Sequence, residues 1–119
     1  MADNCIFCKI TAGEIPTDVV YEDELVMAFR DQSPQAPVHV LLVPKAHVAD
    51  ALEMAEYPEA DRLMGQLARA AARVAEIEAV DGRGFRLLVN CGEDAGQTVG
   101  HYHVHLLGGL TMGEGLLQA

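Results

Sequence analysis

The chain has 119 residues, half of them hydrophobic, so it can form one domain with an apolar core. Its 18 acidic and 8 basic residues give a net charge of −10, which argues against binding to polymeric nucleic acid. A single nucleotide is compatible with this charge, because backbone N–H groups and histidines can hold one phosphate. The sequence also lacks a signal-peptide pattern and an apolar run of membrane-spanning length, so we expect a cytoplasmic protein with no membrane partner.

The first half of the chain predicts a short helix and three strands. Residues 5–12 fit a short helix or turn, because Gly13 and Pro16 interrupt any longer helix. Three apolar runs of strand length follow, at 19–21, 25–29 and 39–43. An acidic turn joins the first two runs, and a rigid proline-rich connection leads into the third.

The second half predicts a long helix and two more strands. Over residues 58–79, apolar side chains recur at helical spacing: Leu63, Leu67, Ala70, Val74 and Ile77. Residues 85–90 and 101–107 fit the last two strands, with a glycine-rich loop at 92–100 between them. Strands in hairpin-like runs around one long helix are typical of an α+β fold with an antiparallel sheet.

Three histidines alternate with apolar residues in the last predicted strand. Because side chains of a strand alternate between its two faces, His101, His103 and His105 should share one face, with Tyr102 and Val104 directed into a core. Histidine can act near neutral pH as a nucleophile, a proton carrier or a metal ligand. The spacing alone leaves open a nucleophilic site, a metal site and a strand face with no chemical role.

The loop before the histidines contains Gly92, Gly96 and Gly100. Glycines allow backbone amides to approach an anion closely, although most glycine-rich loops are simply turns. The Lys-Ser/Thr ending of a Walker phosphate loop is missing, so the segment is not that motif. Beside three histidines, the loop predicts a phosphate-binding segment.

Several short motifs occur in a fixed order along nearly the whole chain. They are CIFCKI at 5–10, GEIP at 13–16, DQSPQAPVH at 31–39, VPKAH at 43–47, GQTV at 96–99 and HYHVHLLGG at 101–109. Together they resemble the histidine triad (HIT) family, and within it the Hint branch of nucleoside phosphoramidases. The resemblance implies an α+β fold over a single domain, 1–119, with a five-stranded antiparallel sheet, one long helix and one short helix. It also implies a homodimer that joins two sheets into one of ten strands, and we expect the apolar stripe of the 58–79 helix and the last strand to form the interface.

The resemblance implies a hydrolase of purine nucleoside phosphoramidates or related nucleoside monophosphate derivatives. The reaction would pass through a covalent nucleotidyl-histidine intermediate and require no cofactor for the chemistry. Two alternatives stay open: a dinucleoside polyphosphate hydrolase on the same fold, and a nucleotide-binding interaction module with weak catalysis.

The resemblance also assigns roles to individual residues. His103 would be the nucleophile, His105 would contact the phosphate, and His39 would complete the cluster from the facing strand. Asp31 would bind the ribose, although on its own it could equally cap the turn before Ser33. The residues expected at the phosphate or leaving group are Asn90, Gly96, Gln97 and Thr98. Those expected to line the base pocket are Ile6, Phe7, Ile10, Phe29 and Leu41, which without the resemblance would be ordinary core residues.

Two cysteines and two of the five histidines form a separate candidate set. Cys5 and Cys8 in Cys-x-x-Cys spacing, with His47 and His101, offer the ligands of a structural Cys₂His₂ zinc site. By resemblance to HIT proteins that carry zinc at these positions, we expect a structural zinc ion that holds the N-terminal segment against the catalytic strand. Two reduced thiols beside a surface His47 are the alternative.

Overall fold

A single antiparallel sheet of five strands organises the molecule, in a computed structural model that describes residues 4–116. The elements are α1 (Ile6–Thr11), β1 (Val19–Glu22), β2 (Val26–Arg30), β3 (Val38–Pro44), α2 (Ala51–Glu56), α3 (Ala60–Ile77), β4 (Phe85–Leu88), a 3₁₀ turn (Glu93–Ala95) and β5 (Val104–Gly108). The spatial order is β1-β2-β3-β5-β4, and every neighbouring pair is antiparallel. The predicted α+β fold with a five-stranded antiparallel sheet is confirmed.

One face of the sheet is covered by α3. The predicted stripe of this helix is buried against the sheet at Leu63, Leu67, Ala70 and Val74, and each buried leucine contributes roughly 2 kcal/mol. The expectation that this stripe forms a dimer interface is therefore wrong, because the chain's own sheet already covers four of its five residues; the fifth, Ile77, is 41% exposed. The last strand cannot form the interface edge either, since β5 lies between β3 and β4.

The opposite face of the sheet is covered by α1. A second apolar cluster forms there from side chains of α1 and of strands β2 and β3: Cys5, Phe7, Cys8, Ile10, Met27, Phe29, Leu41 and Val43. Cys5 begins the helix, because its Sγ accepts a hydrogen bond from the Cys8 amide at 3.4 Å. This face carries the histidines, so α1 forms one wall of the candidate site.

The polar turn between β1 and β2 fastens that hairpin to α3. The Asp23 carboxylate accepts hydrogen bonds from the amides of Leu25 and Val26, from the Tyr21 hydroxyl and from the Gln66 side chain on α3. These groups meet on the α3 side, away from the histidines, and their role is structural.

Two local features differ from the prediction. The short helix α2 was not predicted; it begins at Asp50, whose Oδ1 accepts from the Glu53 amide at 2.9 Å. Strand β5 begins at Val104 rather than His101, because its pairing with β3 begins at Val104. The Tyr102 amide instead donates to the Val48 carbonyl at 2.6 Å.

Within residues 4–116, none of the helices combines the length and the apolar character needed to cross a bilayer.

Candidate active site and metal centre

The ring of His103 is oriented by the backbone two residues before it. Its Nδ1–H donates to the His101 carbonyl at 2.7 Å, and the side chain is buried at 6% exposure. A neutral imidazole carries one proton, so this bond leaves Nε2 with a free lone pair. The edge of Phe7 packs against the same ring, with centroids 5.2 Å apart. His103 therefore presents a nucleophilic nitrogen in a fixed orientation.

His39 and His105 form a hydrogen-bonded pair across neighbouring strands. The backbone N–H of Gln35 donates to His39 Nδ1 at 3.0 Å, which places the proton of the neutral ring on Nε2. His39 Nε2 lies 2.9 Å from His105 Nδ1 and donates to it. His105 then carries its own proton on Nε2. The rings of His103 and His105 lie 5.0 Å apart, so the histidine with a free Nε2 lone pair and the one with an Nε2–H are neighbours.

Burial keeps both members of this pair uncharged at neutral pH. Desolvation, together with the neighbouring His103 and His39, lowers the pKa of His105 to about 4. Burial also lowers the pKa of His39, although the nearby Asp31 carboxylate opposes the shift. The pair is therefore a donor chain of neutral imidazoles rather than a cationic cluster.

Asp31 lies next to His39, at the outer end of the His39–His105 hydrogen-bonded pair. Its Oδ1 accepts from the Ser33 amide at 2.7 Å, and its Oδ2 lies 3.5 Å from His39 Nε2. Asp31, His39 and His105 could in principle hold a metal ion. A metal on His39 Nε2 would force the ring proton onto Nδ1, where it would oppose the Gln35 amide proton. The geometry therefore favours hydrogen bonding over metal binding at these three residues.

The glycine-rich loop follows Asn90, which is half-buried just beyond β4. Gly92 and Gly96 have φ of 85° and 79°, a region that favours glycine. Thr98 is exposed, whereas the Gln97 side chain is directed to backbone groups. A groove of about 430 Å³ runs along the loop, lined by Ala49, Asp50, Gly92, Glu93, Gly96, Gln97, Thr98 and Gly100.

The predicted base-pocket residues lie on the histidine face. Phe7, Ile10, Phe29 and Leu41 belong to one cluster, and Phe7 meets Phe29 edge-on with centroids 5.6 Å apart. Ile6 lies on the outer side of α1 and is 46% exposed. The structure thus gathers four of the five residues and places the fifth at the solvent boundary.

Cys5, Cys8, His47 and His101 bring four ligand atoms within 4.8 Å of one another. The Sγ atoms of Cys5 and Cys8 lie 3.2 and 3.6 Å from His101 Nδ1, and Cys8 Sγ lies 3.3 Å from His47 Nδ1. Tetrahedral zinc with ordinary bond lengths places its sulfur and nitrogen ligands about 3.6 Å apart. The donor set and its spacing therefore fit a closed, structural zinc site.

His101 links the two sites. Its Nε2–H donates to the Pro44 carbonyl at 2.8 Å, which leaves Nδ1 free to face the thiols. Its own carbonyl accepts the Nδ1 proton of His103. The backbone groups of Gln35 and Pro44 that set these ring orientations were not predicted, because a backbone hydrogen bond leaves no signal in the type of residue.

Known proteins of one family are similar to this chain over most of its length. The model of the HIT domain matches residues 12–112. The chain belongs to the HIT family. It is 43% identical to the purine nucleoside phosphoramidase of Escherichia coli K12, over 95% of this chain and 93% of that protein. It is 49% identical to a 14 kDa zinc-binding protein of Brassica juncea, over 90% of this chain and 94% of that protein.

A solved structure of a HIT family hydrolase from Clostridium thermocellum superimposes with a TM-score of 0.93 at 45% identity, over 98% of this chain and all of that one. The predictions of a HIT-family fold and of a HIT-family hydrolase are thereby confirmed.

Proposed function

We propose that this protein hydrolyses purine nucleoside phosphoramidates, or closely related nucleoside monophosphate derivatives, through a nucleotidyl-His103 intermediate. The observation that carries the proposal is the 2.7 Å hydrogen bond from His103 Nδ1 to the His101 carbonyl, which leaves Nε2 unprotonated. The similarity to a purine nucleoside phosphoramidase supports the same substrate class.

In the first step, the Nε2 lone pair of His103 attacks the phosphorus atom and the P–N bond to the leaving amine breaks. The amine departs with the bonding pair and takes a proton from solvent, while the histidine becomes a phosphorylated imidazolium. The His105 Nε2–H and the loop amides donate to the phosphate oxygens as charge develops on them. The leaving amine occupies the groove along the loop, beside Thr98, and Asn90, just before the loop, contacts the phosphate or the leaving amine.

In the second step, water attacks the phosphorus atom and the P–Nε2 bond breaks. The products are a nucleoside monophosphate and the regenerated neutral His103, and the water molecule releases one proton to solvent. Asp31 accepts from the ribose hydroxyls, and the apolar cluster around Phe7 and Phe29 takes the purine.

The test is turnover of a fluorogenic adenosine phosphoramidate by wild type and by His103→Ala, with and without EDTA. The proposal requires an active wild type, an inactive variant and no rapid effect of EDTA. It also requires a nucleotidyl adduct on His103, seen by mass spectrometry after a rapid quench in alkaline denaturant, because the P–N bond of the adduct is labile in acid. Faster cleavage of diadenosine polyphosphates would favour the dinucleoside polyphosphate hydrolase, and an inert wild type would favour the interaction module.

The proposal includes one structural zinc ion held by Cys5, Cys8, His47 and His101. Zinc bound there would cross-link α1 to the segments after β3 and before β5 and would take no part in the bond-breaking steps. Cys91, which lies outside the ligand set, offers a matched control. Cys8→Ser should lose stoichiometric zinc by elemental analysis and Cys91→Ser should retain it.

The proposal also includes a homodimer joined through β4. This strand forms one edge of the sheet, and Phe85 and Leu87 on it are 37% and 48% exposed. Pairing β4 with a second copy would cover both side chains and produce a ten-stranded sheet. Leu87→Lys should yield monomers by analytical ultracentrifugation, whereas Leu52→Lys, on exposed helix α2, should leave the dimer intact.

A further inference from the structure

The glycine-rich loop has one inward side chain. Among residues 92–98, all of which the structure describes, only Gln97 is not exposed. The resemblance to the HIT family implies that Gln97 lies at the phosphate or leaving group. Its contacts indicate another role.

The oxygen and both N–H groups of the Gln97 side-chain amide are hydrogen-bonded to backbone groups. Its Oε1 accepts from the Gly92 amide at 2.9 Å, which closes the loop on itself. Its Nε2 donates to the carbonyls of Ala49 and Val99, at 2.9 and 3.0 Å. A primary amide has two N–H donors, so none is left for a phosphate oxygen while these bonds persist.

The segment that receives Gln97 is anchored at three consecutive residues. His47 belongs to the metal centre, and the Val48 carbonyl accepts from the Tyr102 amide at 2.6 Å, between two of the histidines. The Ala49 carbonyl accepts from Gln97. This segment, 47–49, therefore connects the metal centre, the catalytic histidines and the loop.

We propose that Gln97 is a positioning residue, which clamps the glycine-rich loop to segment 47–49 so that the loop amides stand where the phosphate will bind. The inference rests on the proposed function, because the loop is taken to hold the phosphate of that substrate. The loop needs such a clamp because Gly92 and Gly96 give its backbone more conformational freedom than other residues would. Displacement of a binding element by about 1 Å can cost on the order of 100-fold in rate.

The experiment compares Gln97→Met with Gln66→Met in the 119-residue chain, purified in the presence of zinc. Both changes replace the amide by an apolar side chain of similar length, but Gln66 bonds to Asp23 on the α3 side. Hydrogen exchange of the ligand-free protein is the main readout. We expect amides of 92–98 to exchange roughly 10-fold faster or more in Gln97→Met and to be unchanged in Gln66→Met.

Activity and binding complete the test. We expect kcat/KM of Gln97→Met to fall by roughly 10- to 100-fold, with zinc content and the affinity for adenosine unchanged. The affinity for AMP should fall relative to the affinity for adenosine, because only AMP carries a phosphate that the loop can bind. Gln97→Glu should be impaired at least as much, since a carboxylate can accept from Gly92 but would face the carbonyls of Ala49 and Val99 without a proton.

Lost activity with unchanged exchange at 92–98 would overturn the inference, because Gln97 would then contact the substrate directly. Faster exchange with full activity and AMP affinity would also overturn it, since the position of the loop would not matter. Failure of the proposed function is distinguishable: a wild type without phosphoramidase activity would leave the exchange and the AMP-to-adenosine comparison to decide on the clamp.

Discussion

Two pairs of histidines lie on the same side of the sheet and differ in what their rings can do. His39 and His105 bond to each other, whereas His47 and His101 face the thiols of Cys5 and Cys8. The difference arises from the backbone. A peptide N–H fixes the proton of His39 on the nitrogen that faces His105, and a peptide carbonyl holds the proton of His101 on the nitrogen that faces away from the thiols. The position of the ring proton, which the backbone selects, therefore separates a ring that donates to a second histidine from a ring whose unprotonated nitrogen faces two thiols.

Removal of the His103 ring should have the largest effect. His103→Ala is expected to lower kcat/KM by about 10⁴-fold, because the proposed nucleophile is lost. Zinc content, measured by elemental analysis, should stay at the wild-type value. Loss of zinc in this variant would show that the candidate metal site depends on the His103 ring, which is not one of its four ligands.

Disruption of the metal centre should have the next largest effect, and it should act on stability. Cys8→Ser is expected to lower the free energy of unfolding by about 4 kcal/mol when free zinc is near a thousand times its dissociation constant. Denaturant unfolding of wild type with and without a chelator measures the same difference. Equal stability of Cys8→Ser and Cys91→Ser would refute a structural role for the metal.

Acidification should weaken the fold through the catalytic pair. The pKa of His105 is about 4 in the folded protein, against an ordinary value of 6.5, so the unfolded chain takes up the proton first as the pH falls. The contribution of His105 to the free energy of unfolding is fully present above pH 6.5. It decreases as the pH falls towards 4, by up to about 3 kcal/mol.

The measurement is urea unfolding of wild type and His105→Asn, with the same chelator at every pH so that metal release does not contribute. Wild type should lose more stability than the variant between pH 6.5 and pH 4. Parallel losses in the two proteins would contradict the burial of a neutral His105.

Interruption of the donor chain should have a smaller effect on rate. His39→Ala removes the donor to His105 Nδ1, so His105 can adopt the other tautomer and lose its Nε2–H. We expect kcat to fall about 100-fold with zinc content intact. A variant with unchanged kcat would mean that His105 is oriented by groups other than His39.

The smallest effect is expected in the apolar cluster on the histidine face, at Phe7. Phe7 meets the rings of Phe29 and His103 edge-on, and such aromatic pairs contribute about 1 kcal/mol beyond burial. Phe7→Leu should therefore reduce stability by about 1 to 2 kcal/mol and raise KM more than it lowers kcat. A change confined to kcat would instead indicate that Phe7 orients the nucleophile.

The sequence predicted the five strands and α3 because these depend on local periodicity. It also predicted the histidine cluster and the cluster of two cysteines with two histidines, because these depend on spaced motifs. The helix α2 carried a signal in Asp50 and Glu53, three residues apart, but its six residues are too few for a periodic pattern. The interface prediction failed for a different reason: the stripe of α3 is apolar whether a second chain or the chain's own sheet covers it. The clamp at Gln97 depends on distant backbone carbonyls and has no sequence pattern.

The proton on His103 is held by a carbonyl only two residues away, within one short stretch of backbone. No other side chain is needed to decide which ring nitrogen attacks. Residues of the apolar cluster, the groove and the loop can therefore change during evolution without changing which nitrogen of the His103 ring carries the proton. In the proposed mechanism, the capacity for attack on phosphorus therefore depends on residues 101–103, whereas the choice of substrate depends on the rest of the site.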